Sequence, residues 1–436
     1  MHSQKELNTQ AIISGFAIFS VFFGAGNLIF PPYLGVLSGS GWAMFAGFVV
    51  GDAGIAALAV YIAAQLPDRR YGLFARSGKL FYYFAVLVMC FTTGPFVVIP
   101  RTCAVSYEVG LLPYFPNLPR LVYSIIFFAI AFALTIKPSQ VMDNLGKYLT
   151  PVLILVCVII DIRAFANPIG FNRTTALVDN LFKEGLIQGY QTFDALGGIS
   201  ISIVLIEGLV PKGFTNLDEQ RTILVRAGVL SAICLAVVYA GLYYMGEGVS
   251  ANYGADASTT ELLVTCVNLA MGNSGQLLLS VATVLACLTT AIGSLAGPGI
   301  WLQWALKGRK HVYEICVTVV TLIGVYVSNL GVTTILKIAS PLCSMFCPPA
   351  FGLVVVGFGI KKIKSDWAFI LTAWGLTIWG ALDVFGSSLV TYCPFYNIGL
   401  GWLIPCLVLA AIGAFIPSKK NRLDDNLGRD VPAEEQ

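Results

Sequence analysis

The feature that most constrains this chain is a succession of long apolar runs separated by short polar connections. A bilayer core about 30 Å thick is crossed by roughly 20 apolar residues in a helix rising about 1.5 Å per residue. Runs suited to crossing fall at 11–31, 42–64, 80–100, 121–136, 149–162, 189–210, 223–245, 276–305, 312–329, 336–360, 367–390 and 398–416. They predict an all-α membrane protein of about twelve spans. Charged residues are 11% of the 436, against about 25% in an ordinary soluble domain, so most of the surface must face lipid. Residues 163–188 and 247–261 read as the two long polar connections. The run beginning at Ala11 lacks a small-residue cleavage pattern followed by a soluble chain, and is expected to stay as the first span.

Basic residues orient the spans. With residues 1–10 in the cytoplasm, one side carries Lys5, Arg69, Arg70, Arg76, Lys79, Lys137, Lys147, Lys212, Arg221, Arg226, Lys307, Arg309, Lys310, Lys361, Lys362, Lys364, Lys419, Lys420, Arg422 and Arg429. The other side carries only Arg101, Arg120, Arg163, Arg173 and Lys183. The expectation is a single transmembrane domain over 11–417 with both termini cytoplasmic and a charged tail at 418–436.

Several chemistries lack their residues. The only histidines are His2 and His311, and none of the 11 cysteines forms a CxxC pair, so no metal-binding spacing is present. Cysteine here reads as a small apolar packing residue, with a Cys103–Cys393 bridge at the outer face left open. The stretch from Gly72 to Lys79 is one residue too long for a phosphate-binding loop and lacks the following Ser or Thr; it reads as a basic loop. The carboxylates in or near spans, Asp52, Asp161, Asp194, Glu207 and Asp383, do not cluster in sequence, and no GxSxG occurs. An intramembrane enzyme is therefore disfavoured.

Interrupted helices are where a membrane bundle exposes backbone groups to a ligand. Span one contains Gly24-Ala25-Gly26-Asn27, and span six contains Asp194-Ala195-Leu196-Gly197-Gly198. Small residues also serve close helix packing, but two interrupted spans at positions one and six suggest two five-helix units, 11–163 and 189–360, inverted relative to each other. Spans over 367–416 then lie outside the repeat. Asp194 is a carboxylate inside hydrocarbon, costing roughly 2.5–3.5 kcal/mol on insertion scales, so it needs a partner. A helix N-cap, an ion pair with Lys337, a cation and a substrate ammonium all remain open. In span eight, Thr289 and Thr290 either bond back to their own helix or offer oxygens to a small cation.

These motifs resemble the bacterial branched-chain amino acid–cation symporter family (BrnQ type, LIVCS), within the LeuT-like group. The resemblance rests on Phe22–Pro32 preceded by Gly15–Ser20, Gly146–Pro151, Gly189–Leu196, Leu285–Gly293 and Leu336–Pro341. It implies a LeuT-like 5+5 inverted repeat with helices 1 and 6 broken, two extra helices, and import of leucine, isoleucine and valine with sodium or protons. By position it implies a sodium site from the Ser20 and Phe23 carbonyls, the Ala286 carbonyl and the Thr289 and Thr290 hydroxyls. The substrate is expected at Gly24, Ala25, Gly26 and Asn27 from the first break and Phe193, Asp194, Gly197 and Gly198 from the second. Amides near Gly26 and Asn27 would hold its carboxylate. Asp52, in Gly51-Asp52-Ala53-Gly54, departs from the apolar residue expected there. No other cofactor, nucleic acid or obligatory protein partner is implied. The rival is a transporter or exporter of another small neutral amino acid or solute. The setting is the inner, cytoplasmic membrane.

Overall fold

The computed structural model describes residues 2–65, 72–137, 149–306, 309–360 and 362–417, and among these all regular structure is helical. The tail at 418–436 and the Gly146–Tyr148 part of one motif lie outside the described residues. α1 (Gln4–Phe22) starts at Ser3, whose hydroxyl accepts the Glu6 amide while the Glu6 carboxylate accepts from the Ser3 amide, a reciprocal cap. It stops at Phe23–Gly24, and the chain bends 67° into α2 (Ala25–Ser38). Gly24 is extended there, and a Cβ on it would lie 2.9 Å from Thr290 Cγ2. Only a residue without a side chain permits that approach.

The second span is α3 (Trp42–Val49) and α4 (Ile55–Gln65), joined by a π-helical turn at Val50–Gly54. The wider turn re-aims side chains locally, and it carries the fully buried Asp52. The third span is not continuous as the sequence suggested. α5 (Lys79–Phe91) ends in a turn at Thr92–Phe96, where Gly94 leaves helical geometry and Pro95 cannot donate. The chain resumes as α6 (Val98–Val105) and runs on through a π turn to Leu111. Arg101, counted above among the outer loop charges, is thereby buried inside the bundle.

α7 (Arg120–Thr135) and α8 (Thr150–Ala166) follow. The second broken span is α9 (Leu181–Tyr190) and α10 (Asp194–Leu209). Its interruption is at 191–193, ahead of the Leu196–Gly198 position expected from the glycine pair. Gly197 and Gly198 continue helically because their value lies in packing: Cβ atoms on them would meet the Phe22 ring at 3.6 Å and the Ala56 carbonyl at 3.0 Å. α9 also begins within the stretch read as a polar connection, because Asn180 caps it by accepting the Lys183 amide.

α11 (Leu217–Val249), α12 (Thr259–Ala305), α13 (Val312–Ser328), α14 (Val332–Gly357), α15 (Trp367–Val384) and α16 (Leu403–Phe415) complete the chain. The second connection is helical only at its two ends, 247–249 and 259–261, with non-helical chain between them. All 11 cysteines are free, so Cys103 and Cys393 do not pair. Among the described residues five helices are long and apolar enough to cross a bilayer, six with the bent α1–α2 pair, and α7, α13 and α16 are shorter apolar helices.

The centre is built by the two broken spans with α3, α4 and α11. α1, α2 and α4 pack on α11, α3 on α9, and α4 on α10. α12 packs against α8 and α13, while α15 and α16 lie outside α14. The α3–α9 crossing is one of backbone on backbone. Gly47 and Gly51 on one side face Gly185 and Gly189 on the other, both pairs at a spacing of four. A Cβ on Gly51 would lie 2.6 Å from the Leu186 carbonyl, and one on Gly189 would lie 2.9 Å from the Phe48 carbonyl. Backbone meets backbone, as small residues permit inside a membrane.

Gly185→Ala should therefore cost about 1–3 kcal/mol, the usual penalty of overpacking. Gly228→Ala, whose Cβ would meet its nearest atom at an ordinary 3.5 Å, should leave stability unchanged or slightly raised. Thermal unfolding of the two variants in detergent checks the difference.

Candidate functional site

Both breaks point at one buried polar cluster. At the first, α2 begins without a side-chain cap on Gly24, so the amides of Ala25, Gly26 and Asn27 form a first turn with no carbonyl of their own helix to serve. The Asn27 side chain donates to Asp194 Oδ2 at 2.7 Å and to Asp52 Oδ2 at 3.3 Å, and lies 2.6 Å from the Tyr239 hydroxyl on α11. Tyr239 donates to Asp52 Oδ2 at 2.5 Å. Thr192, in the second break, donates to Asp52 Oδ1 at 2.8 Å. Two carboxylates distant in sequence are thus held around one carboxamide, and all five residues are buried.

The second break is fixed by Arg101. Its guanidinium donates to the Gln191 carbonyl at 2.7 Å and the Thr192 carbonyl at 2.9 Å. Those carbonyls have left the helix and need donors. Phe193 closes the segment in a left-handed conformation (φ 67°) with its side chain buried. A non-glycine residue there is strained by about 1–3 kcal/mol, which the Arg101 clamp and the buried ring offset. A Cβ on Gly26 would sit 3.1 Å from Arg101 Nη2, so this glycine leaves room for the arginine beside the first break.

The oxygen cage expected between spans one and eight is assembled. Thr289 Oγ1 lies 2.8 Å from the Ser20 carbonyl and 2.9 Å from the Ala286 carbonyl; Thr290 Oγ1 lies 2.8 Å from the Val21 carbonyl and 3.2 Å from that of Ser20. Val21 stands where Phe23 was expected. Phe23 instead ends α1 with its amide bonded to the Phe19 carbonyl, its ring stacked on Phe19 and facing Tyr239. Three carbonyls and two hydroxyls within hydrogen-bonding reach of each other are a donor set suited to a hard monovalent cation, once the hydroxyls turn their lone pairs inward.

Of the expected residues, Gly24, Ala25, Gly26, Asn27, Phe193 and Asp194 meet at the two breaks, and Ser20, Ala286, Thr289 and Thr290 meet at the cage. Gly197 and Gly198 are packing residues one turn inside α10. Lys337 is exposed and, among the described residues, makes no ion pair with the buried Asp194. Arg101, Thr192 and Tyr239 were not singled out from the sequence. The signal for Arg101 was an arginine following an apolar run and a proline, which reads equally as a loop charge.

The family model described as "Branched-chain amino acid transport protein" matches residues 7–420. The branched-chain amino acid permease BraB of Bacillus subtilis is 31% identical over 425 residues, covering 92% of this chain and 94% of that protein. BrnQ of Escherichia coli is 28% identical, covering 93% and 95%. Among solved structures, a Na+-coupled sialic acid symporter in a substrate-bound outward-open state superposes with a TM-score of 0.61 at 15% identity, covering 94% of this chain and 91% of that one. MhsT in complex with L-phenylalanine gives 0.57 at 14%, covering 92% and 98%. The fold is that of these helical transporters.

Arg101→Lys should destabilise the protein, because one ammonium cannot serve two carbonyls in the planar fork geometry of a guanidinium. Leaving one buried carbonyl unpaired costs about 1–3 kcal/mol, read as a lower midpoint in thermal unfolding.

Proposed function

The chain belongs to the branched-chain amino acid transport protein family, and on that premise we propose that it imports leucine, isoleucine and valine across the bacterial inner membrane, driven by sodium. The observation that carries the reading is the convergence of both broken helices on Asn27, Asp52 and Asp194, with the oxygen cage of Ser20, Val21, Ala286, Thr289 and Thr290 beside it. Gly24 links the two: it opens the first break and abuts Thr290. A cation in the cage ties α1 to α12 and so fixes the geometry of the break.

A zwitterionic substrate matches the charges. The free amides of Ala25, Gly26 and Asn27 and the positive end of the α2 dipole suit its carboxylate. Asp194, with Asp52 behind it, suits its ammonium. Phe22, whose ring lies against Gly197 and Gly198, and Phe193 supply apolar walls; burying a branched aliphatic side chain is worth roughly 1.5–3 kcal/mol. The concentration of basic residues on one side supports a cytoplasmic position for both termini. About twelve spans in two inverted five-helix units with two additional helices is the topology consistent with this reading.

Radiolabelled leucine uptake into proteoliposomes under imposed ion gradients tests it. Uptake should follow an inward sodium gradient, and leucine uptake unaffected by sodium refutes the coupling. Thr289→Ala and Thr290→Ala should each raise the sodium concentration for half-maximal uptake, since each removes one oxygen of the cage. Asp194→Asn keeps the shape, removes the charge and should abolish concentrative uptake while the protein still inserts; wild-type uptake by that variant excludes the ammonium role.

A further inference from the structure

We propose that Asp161 is a proton-binding site that sets the pH dependence of transport, separate from both the central cluster and the oxygen cage; the pH dependence rests on the transport reading above. Asp161 lies on α8 and is 6% exposed. Among the described residues neither of its carboxyl oxygens has a hydrogen-bond partner. The carboxyl fills the recess left by Gly241 on α11, where an added Cβ would come within 2.7 Å of Asp161 Cβ. An ionised carboxylate without partners at such a depth costs several kcal/mol. A group in that position takes up a proton and becomes neutral.

The neighbours offer no counter-charge. α8 packs on α11, α12 and α1. On α8 itself the nearby ionisable groups are Cys157, one turn away, and Arg163, which is exposed. The face of α11 that carries Gly241 also carries Cys234 and Tyr244, the latter stacked on Phe165 with ring centroids 4.8 Å apart. Tyr239 faces the central cluster, Tyr243 bonds the Gly41 carbonyl, and the turn holding Glu247 packs on Gly35 of α2. Asp218, Glu219, Arg221 and Arg226 lie four turns or more away along α11. The ionisable residues of α12 are Glu261, Cys266 and Cys287, and those of α1 are Lys5 and Glu6 at its start. Among the described residues no basic nitrogen lies within ion-pair distance of Asp161. A metal cation needs several oxygens around it, whereas a proton needs one.

α11 connects this acid to the central site. Tyr239 and Gly241 are two residues apart, about 200° around a helix of roughly 3.6 residues per turn. One side of α11 therefore contacts Asp52 and Asn27 while the other covers Asp161. Separation of α11 from α8 admits water to the carboxyl, which then ionises and releases its proton.

Infrared spectroscopy of the purified full chain, paired with leucine uptake at saturating sodium across external pH, tests the proposal. The wild type should show a protonated-carboxyl band in neutral buffer and an uptake rate that varies with pH. Asp161→Asn should lose that band, keep its sodium dependence and give a flattened pH profile. If that variant lacks a cooperative melting transition, Asp161→Leu takes its place with the same expectations. A band unchanged by the substitution, or a wild-type pH profile in a folded variant, overturns the proposal. A wild-type band that vanishes in the variant, in a protein that takes up no leucine, upholds proton binding at Asp161 and refutes the substrate reading instead.

Discussion

Everything at the centre of this protein depends on one requirement: inside hydrocarbon, each backbone amide and carbonyl must find a partner. Continuous helices meet it internally. Two breaks violate it at one level of the bundle, and the surrounding residues repair the violation asymmetrically. At the second break Arg101 supplies two donors to the exposed carbonyls of Gln191 and Thr192. At the first, Thr289 and Thr290 donate to the carbonyls of Ser20 and Val21, while the amides at the start of α2 stay available. Donors to be given away and oxygens able to turn toward a cation are left side by side.

The acidic cluster follows from the same logic. Two buried carboxylates repel each other and need neighbouring donors. Asn27, Tyr239 and Thr192 provide them from three different elements. The cluster therefore does structural work as well as chemical work: it joins α2, the π turn of the second span, the second break and α11 through side chains alone. A ligand that alters the charge on Asp194 alters all four attachments together.

The membrane class and the first break were legible in the sequence because each has a local signature, apolar length and glycines beside an asparagine; the paired hydroxyls of Thr289 and Thr290 left two readings open, and only the family resemblance joined them to carbonyls of the first span. The second break was misplaced because glycine has two uses. Gly197-Gly198 looked like an interruption and is a packing surface, while the real interruption, Gln191-Thr192-Phe193, has no glycine at all and is held open by a residue from another span. Asp52 and Asp194 stand far apart in sequence, so only the fold shows that they share a partner. Arg101 read as a loop charge because the hydropathy pattern cannot reveal that the third span breaks at Gly94-Pro95 and carries the arginine inward.

The α3–α9 crossing has a mechanical meaning. With Gly47 and Gly51 seated against Gly185 and Gly189, the two helices have no side-chain layer between them to shear, so they behave as a single stiff rod. Any rearrangement that swings α9 must carry α3 with it. The bend available to that rod on the span-six side is then the three residues between α9 and α10, pinned by the Arg101 guanidinium. Arg101 thus sits at the pivot of a lever whose long arm is two helices wide.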